Sequence, residues 1–247
     1  GYCAAHRQAS HFKSLLSNTC RCVAGRARLC STQSMLQMTA PEISTQYRRM
    51  PFATKGMQVG LFGGSFNPPH AGHVLVAEIA MRRLQLDQLW WIVTPGNPLK
   101  NTRELMPLSE RVALSEAITE DPRIKVTAFE AAYHVRYTAD TLAMVKRRNP
   151  GVDFVWIMGA DSLRGFNRWQ RWRQIAMTFP IAVIDRPGST LSFLSSMMAK
   201  TFDYGRIDEA DASTLAHRPA PAWTFIHGPR SMLSSTAIRN ARKQPSR

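Results

Sequence analysis

From residue 57 onward, short apolar runs alternate with stretches whose apolar positions recur at helical spacing. The runs 57–62, 88–94, 124–129, 152–158, 180–185 and 223–227 have the length and the Val, Ile, Phe and Trp content expected of strands. The stretches 71–86, 108–120, 138–148 and 168–177 read as amphipathic helices, with a further helix from residue 235, while 188–220 shows no clear period. Strands separated by helices require right-handed crossovers. The pattern therefore predicts an α/β protein with a doubly wound, Rossmann-like parallel sheet. Ligands of such sheets bind beyond the carboxyl ends of the strands, so the chemistry should gather in the strand-to-helix loops.

Composition divides the chain of 247 residues in two. Residues 1–56 hold eight Lys and Arg residues against Glu42 alone, so close to half of the net charge of +15 sits there. All four cysteines, Cys3, Cys20, Cys22 and Cys30, lie in the same segment. Its Arg- and Ser-rich, acid-poor composition matches a transit peptide or a translated leader upstream of a start at Met50 or Met57. The Cys20-x-Cys22 spacing is too tight for a paired zinc knuckle. The expectation is a basic, disordered extension over 1–56 and one catalytic domain over 57–247, so that a chain beginning at Met57 folds and stays active. No run of about 18 apolar residues occurs, which predicts a soluble, cytoplasmic protein without a membrane partner.

The strongest chemical signal is Gly63-Gly64-Ser65-Phe66-Asn67-Pro68-Pro69-His70-Ala71-Gly72-His73, between the first strand and the first helix. Gly63 and Gly64 are expected to let the backbone turn and approach a ligand. Pro68 and Pro69 disfavour helix in the residues before them, so the helix starts near His70. His70 and His73 then share one face of the first turn, beside unpaired N–H groups and the positive end of the helix dipole. That is an anion site. Gly72 is expected to leave room for a phosphate or nucleoside against the helix. No Gly-x-Gly-x-x-Gly fingerprint or Gly-Lys-Ser/Thr ending is present at this turn, which excludes the usual dinucleotide and P-loop designs. Near the other end, Ser234-Ser235-Thr236-Ala237-Ile238-Arg239 offers hydroxyl caps and an arginine one turn into a helix, a second phosphate clamp.

These two segments resemble the paired signatures of the His-x-Gly-His nucleotidyltransferase superfamily. Four others point to the nicotinate-nucleotide adenylyltransferases within it: Thr94-Pro95-Gly96-Asn97-Pro98-Leu99-Lys100, Tyr137-Thr138-Ala139-Asp140-Thr141-Leu142, Gly159-Ala160-Asp161-Ser162 with Trp169 eight residues on, and Asp185-Arg186-Pro187-Gly188. Leu99 departs from the histidine usual before that lysine.

The resemblance implies transfer of AMP from ATP to nicotinic acid mononucleotide, with His70, His73 and Arg239 as catalytic residues. It implies ATP binding by Gly63, Gly64, Ser65, Phe66, Gly72, Gly159, Asp161, Ser235 and Thr236. Lys100, Tyr137, Thr138 and Trp169 would bind the acceptor, with Thr138 as the N-cap of its helix. Mg²⁺ is expected to be held through ATP phosphates, with no dedicated protein ligand. The rival acceptors are nicotinamide mononucleotide and phosphopantetheine. A rival from another class is a basic nucleic-acid-binding module, whose one candidate stretch, Arg164 to Arg173, coincides with the Trp169 segment; no specific nucleic-acid partner is expected.

Overall fold

In the computed structural model, which describes residues 43–96, 105–185 and 194–228, six strands form one sheet. They are β1 (Gln58–Gly64), β2 (Gln88–Val93), β3 (Ile124–Thr127), β4 (Asp153–Gly159), β5 (Ile181–Ile184) and β6 (Trp223–Ile226). Their order across the sheet is β3-β2-β1-β4-β5-β6, and all neighbours are parallel. The predicted doubly wound sheet is therefore observed. Its topological switch lies between β1 and β4, where such folds open a crevice at the carboxyl edge.

The sequence of the strands explains the two layers. Leu61, Trp90, Ile92, Trp156, Val183 and Phe225 face one apolar core together with α4 (Thr138–Arg148), α5 (Ala160–Leu163), α6 (Trp172–Thr178) and α7 (Met197–Thr201). Phe62, Trp91, Val93, Ile157, Ala182 and Ile226 face the other, together with α1 (Ala71–Arg83) and α2 (Leu108–Ile118). A strand sends successive side chains to opposite faces, so the adjacent pair Trp90 and Trp91 supplies one fully buried indole to each core. Among the described residues no helix is long and apolar enough to cross a membrane.

Two helical readings are refined. The stretch 168–177 is a 3-10 turn (Phe166–Arg168), an extended Trp169, and then α6, entered through Arg171 in the left-handed region at φ 55°. Burial of Phe166 and Trp172 in the core around Trp169 breaks the helix there. Within the unpatterned region lie α7 and 3-10 turns over Asp203–Gly205 and Glu209–His217; the segment 186–193 and the helix expected from residue 235 lie outside the described residues.

The expected boundary at residue 57 is corrected. Residues 43–56 carry a 3-10 turn (Thr45–Arg48) that packs on the edge strand β3. Ala128 donates its N–H to the Tyr47 carbonyl at 2.7 Å, the Thr127 hydroxyl lies within hydrogen-bond distance of the Tyr47 and Arg49 carbonyls, and Gly56 donates to Gly151 at 2.8 Å. Ile43, Tyr47, Met50 and Ala53 rest against the two cores. Composition hid this because a covering segment needs only a few apolar anchors and its own backbone.

A chain beginning at Met57 is accordingly expected to be less stable than one beginning at Ile43 by about 2–4 kcal/mol, from a few hydrogen bonds and partly buried side chains. Denaturant unfolding of the two chains checks this, and equal midpoints would make the segment a passenger.

Candidate active site

The carboxyl ends of β1 and β4 bring the first signature together with the segments predicted around it. Gly63 and Gly64 do not make the turn expected of them. They are the last two residues of β1, paired with Ile92 and Val93. Their missing side chains serve packing: a Cβ on Gly63 would lie 2.6 Å from the Trp156 indole, and one on Gly64 3.1 Å from the Phe66 ring. The turn falls instead on Phe66, at φ 44°. A bulky residue in the left-handed region costs on the order of 1–3 kcal/mol and persists only where its surroundings hold it. The Phe66 ring is stacked on Trp91 at 4.5 Å and edge-on to His73 at 5.0 Å.

His70 is the N-cap of α1 and His73 its third residue. Each imidazole closes a hydrogen bond of the cap: Gly72 donates its N–H to His70 Nδ1 at 3.1 Å, and His70 donates its own to His73 Nδ1 at 3.3 Å. The rings lie 3.8 Å apart. A neutral imidazole whose Nδ1 accepts carries its proton on Nε2, so this cap selects the tautomer that presents an N–H donor. Gly72 is buried and its N–H is engaged by His70, so it takes part in the cap.

Beyond β3, α4 starts at Thr138 with Tyr137 in the N-cap position. Thr138 is thus the first helical residue and not the cap, because Tyr137 holds the extended conformation that precedes the helix. Because α4 runs between β3 and β4 of a parallel sheet, its start lies toward the carboxyl edge, where the first signature also lies. The helix start is held from two sides. Outside, the Arg171 guanidinium pairs with Asp140. Inside, Glu130, in the short helix α3 (Phe129–Ala132), lies 2.6 Å from the Thr141 hydroxyl.

Beyond β4, Gly159 caps α5 and Asp161 is exposed in its first turn. Trp169 is half-buried, edge-on to Phe166 at 5.4 Å and to Trp156 at 6.4 Å, so it is anchored without being enclosed. Asp185 follows β5, its N–H donated to the Ile226 carbonyl. Lys100, Arg186, Ser235, Thr236 and Arg239 lie outside the described residues. No three His, Cys, Asp or Glu side chains converge among the described residues.

Two buried polar residues of the site were missed by sequence reasoning. Arg111 in α2 is buried under the loops that follow β1 and β2, and desolvation lowers its guanidinium pKa to about 10. Glu130 is buried beneath the start of α4, and desolvation, partly offset by the Thr141 hydrogen bond, pushes its carboxyl up to about 7. Each lies in a segment that reads as an ordinary amphipathic or connecting stretch. A charged residue within a helical pattern is usually a solvated one, and only the fold shows which face it lies on.

The cytidylyltransferase-like family model matches residues 61–241. A probable nicotinate-nucleotide adenylyltransferase of Mesorhizobium japonicum is 79% identical over 194 residues, covering 78% of this chain and all of that one. One from Brucella abortus is 72% identical over 193 residues, covering 77% of this chain and all of that one. Among solved structures, the Plasmodium falciparum nicotinic acid mononucleotide adenylyltransferase complexed with APC shares the fold, with a TM-score of 0.53 at 17% identity over 74% of this chain and 83% of that one.

Glu130 sets a pH dependence. Its folded-state pKa of about 7 stands above the ordinary value of 4.5, so the folded state holds the proton more tightly than the unfolded chain. That contribution is fully present below pH 4.5 and is lost as pH rises through about 7, on the order of 3 kcal/mol. Glu130→Gln keeps an acceptor for Thr141 and removes the titration. The variant is expected to be at least as stable as the wild type at pH 8 and to lose the decline between pH 5 and 8. Urea unfolding across that range tests it, and parallel curves for the two proteins would show that Glu130 is not the titrating group.

Proposed function

The chain belongs to the nicotinate-nucleotide adenylyltransferase family, within the cytidylyltransferase-like proteins, and from that premise we propose that it transfers the AMP part of ATP to nicotinic acid mononucleotide. The products are nicotinic acid adenine dinucleotide and pyrophosphate. The observation that carries the reading is the His70–His73 pair, two imidazoles 3.8 Å apart in one helix cap with Nδ1 of each occupied by a backbone N–H. Such a pair supplies aimed N–H donors to an anion at the positive end of α1, at the switch point of the sheet.

A 5′-phosphate oxygen of the acceptor attacks the α-phosphorus of ATP in line. The bond from that phosphorus to the bridging oxygen breaks, and pyrophosphate leaves with the electron pair. No protein nucleophile takes part, so catalysis rests on positioning and on stabilising charge on the phosphate oxygens. His73 serves the α-phosphate and His70 the β- and γ-phosphates. Asp161 accepts from ribose hydroxyls. Trp169 offers a ring for the pyridine, and the first turn of α4 at Tyr137 and Thr138 offers N–H groups to its carboxylate. Lys100 belongs to the acceptor loop, and Ser235, Thr236 and Arg239 would grip the departing pyrophosphate. Mg²⁺ would be held mainly through the ATP phosphates, where it would supply positive charge against the phosphate oxygens.

Pyrophosphate release with ATP and each candidate acceptor tests the assignment. Nicotinic acid mononucleotide is expected to exceed nicotinamide mononucleotide in kcat/KM by more than about tenfold, since a helix start favours a carboxylate over an amide. Equal values would remove the acceptor assignment while leaving adenylyl transfer. His73→Ala is expected to lower kcat about 10²–10³-fold. It also removes half of a capping box, so the melting curve should shift by an amount equivalent to roughly 0.5–2 kcal/mol. A near-normal kcat with that stability loss would reduce His73 to a structural cap.

A further inference from the structure

The loop after β1 and the loop after β2 come from different parts of the chain and are joined by one buried side chain. Arg111 is 1% exposed. Its Nε donates to the Met106 carbonyl at 3.0 Å, its Nη1 to those of Ser65 at 2.7 Å and Thr94 at 2.8 Å, and its Nη2 to that of Pro95 at 3.2 Å. Among the described residues no carboxylate pairs with it. Among the described residues the cation is therefore met by backbone carbonyls alone. Two further bonds close the same seam, from Thr94 N–H to the Gly64 carbonyl at 2.9 Å and from Met106 N–H to Asn67 Oδ1 at 3.0 Å.

The direction of those carbonyls decides where the opposite ends of their peptides point. In a trans peptide the C=O and N–H are antiparallel, and the cis bonds among the described residues lie elsewhere, at Asn67-Pro68 and Ala220-Pro221. Drawing the Ser65 and Pro95 carbonyls in to the guanidinium turns the N–H groups of Phe66 and Gly96 away from it. Neither of these two donates to another group among the described residues. The other two carbonyls precede Pro95 and Pro107, which have no N–H to aim. One buried cation thus directs a donor from each loop outward, next to Phe66 in its positive-φ conformation.

We propose that Arg111 is a positioning residue, which aims the N–H groups of Phe66 and Gly96 at substrate phosphate and keeps the ATP loop and the acceptor loop in register without touching either substrate. The inference rests on the adenylyl-transfer reading above. It separates Arg111 from a merely structural arginine, because loss of register affects both substrates at once.

The experiment compares Arg111→Lys and Arg111→Met with the wild type by thermal unfolding, by steady-state kinetics with ATP and nicotinic acid mononucleotide each varied, and by calorimetric titration with inorganic pyrophosphate. A lysine keeps the charge, but its compact ammonium cannot span four carbonyls held by a planar fork. Arg111→Lys is expected to fold, to raise both KM values about tenfold or more, to lower kcat by about 10–100-fold, and to bind pyrophosphate more weakly. Folded variants with both KM values, kcat and pyrophosphate affinity within about twofold of wild type would overturn the proposal. Failure of both variants to fold would also overturn it, assigning Arg111 to folding. Should the wild type bind pyrophosphate yet not turn over with this acceptor, the acceptor assignment fails on its own. The calorimetric comparison then still decides for or against Arg111.

Discussion

The site depends on where β1 sits. It is hydrogen-bonded on one side to β2 and on the other to β4, at the place where the chain's crossovers change direction. Because every strand of the sheet is parallel, all carboxyl ends open on one edge, and the loops after β1, β2, β3 and β4 are forced to share it. A close approach at the end of β1 follows: without a side chain, Gly63 admits the Trp156 indole, which in turn braces Trp169 edge-on. The ATP signature and the ring assigned to the pyridine are thereby connected through one contact across two neighbouring strands.

Around this frame the chemistry is built from backbone donors aimed by buried side chains. The imidazoles of His70 and His73 cap α1 and take their tautomers from that cap. Arg111 turns carbonyls inward, and so turns N–H groups outward, in the two loops. Glu130 bonds Thr141 under the start of α4. Donors fixed in this way need little reorganisation as charge shifts in phosphoryl-type transfer. The two buried ionisable groups respond differently near neutral pH: desolvation raises the Glu130 pKa to about 7, so both of its forms are populated there, whereas Arg111 remains charged because its pKa falls only to about 10.

Much of this was legible in the chain. The strand runs, the βα alternation and the doubly wound sheet follow from periodicities of two and 3.6, which are local properties of the backbone. The placement of His70 and His73 at a helix start was legible too, since two prolines limit where that helix can begin. Phe66, Thr138, Asp161 and Trp169 lie in or just after the connections that follow β1, β3 and β4, and a parallel sheet opens those connections on one edge.

The tertiary structure decided the rest, for a common reason: the outcome depended on what lay across space from each residue. Gly63 and Gly64 look like turn residues in a string but are strand residues emptied for Trp156 and Phe66. Residues 43–56 look like part of a basic tail, yet they cover the edge of β3, where unpaired peptide groups await partners. Arg111 and Glu130 look like solvated charges, and only the folded packing shows that one meets four carbonyls and the other a threonine hydroxyl. Periodicity and capping act within a few residues and can be read along the chain; burial of a charge and the filling of a glycine's empty space are pairings over long sequence separations, which no local pattern encodes.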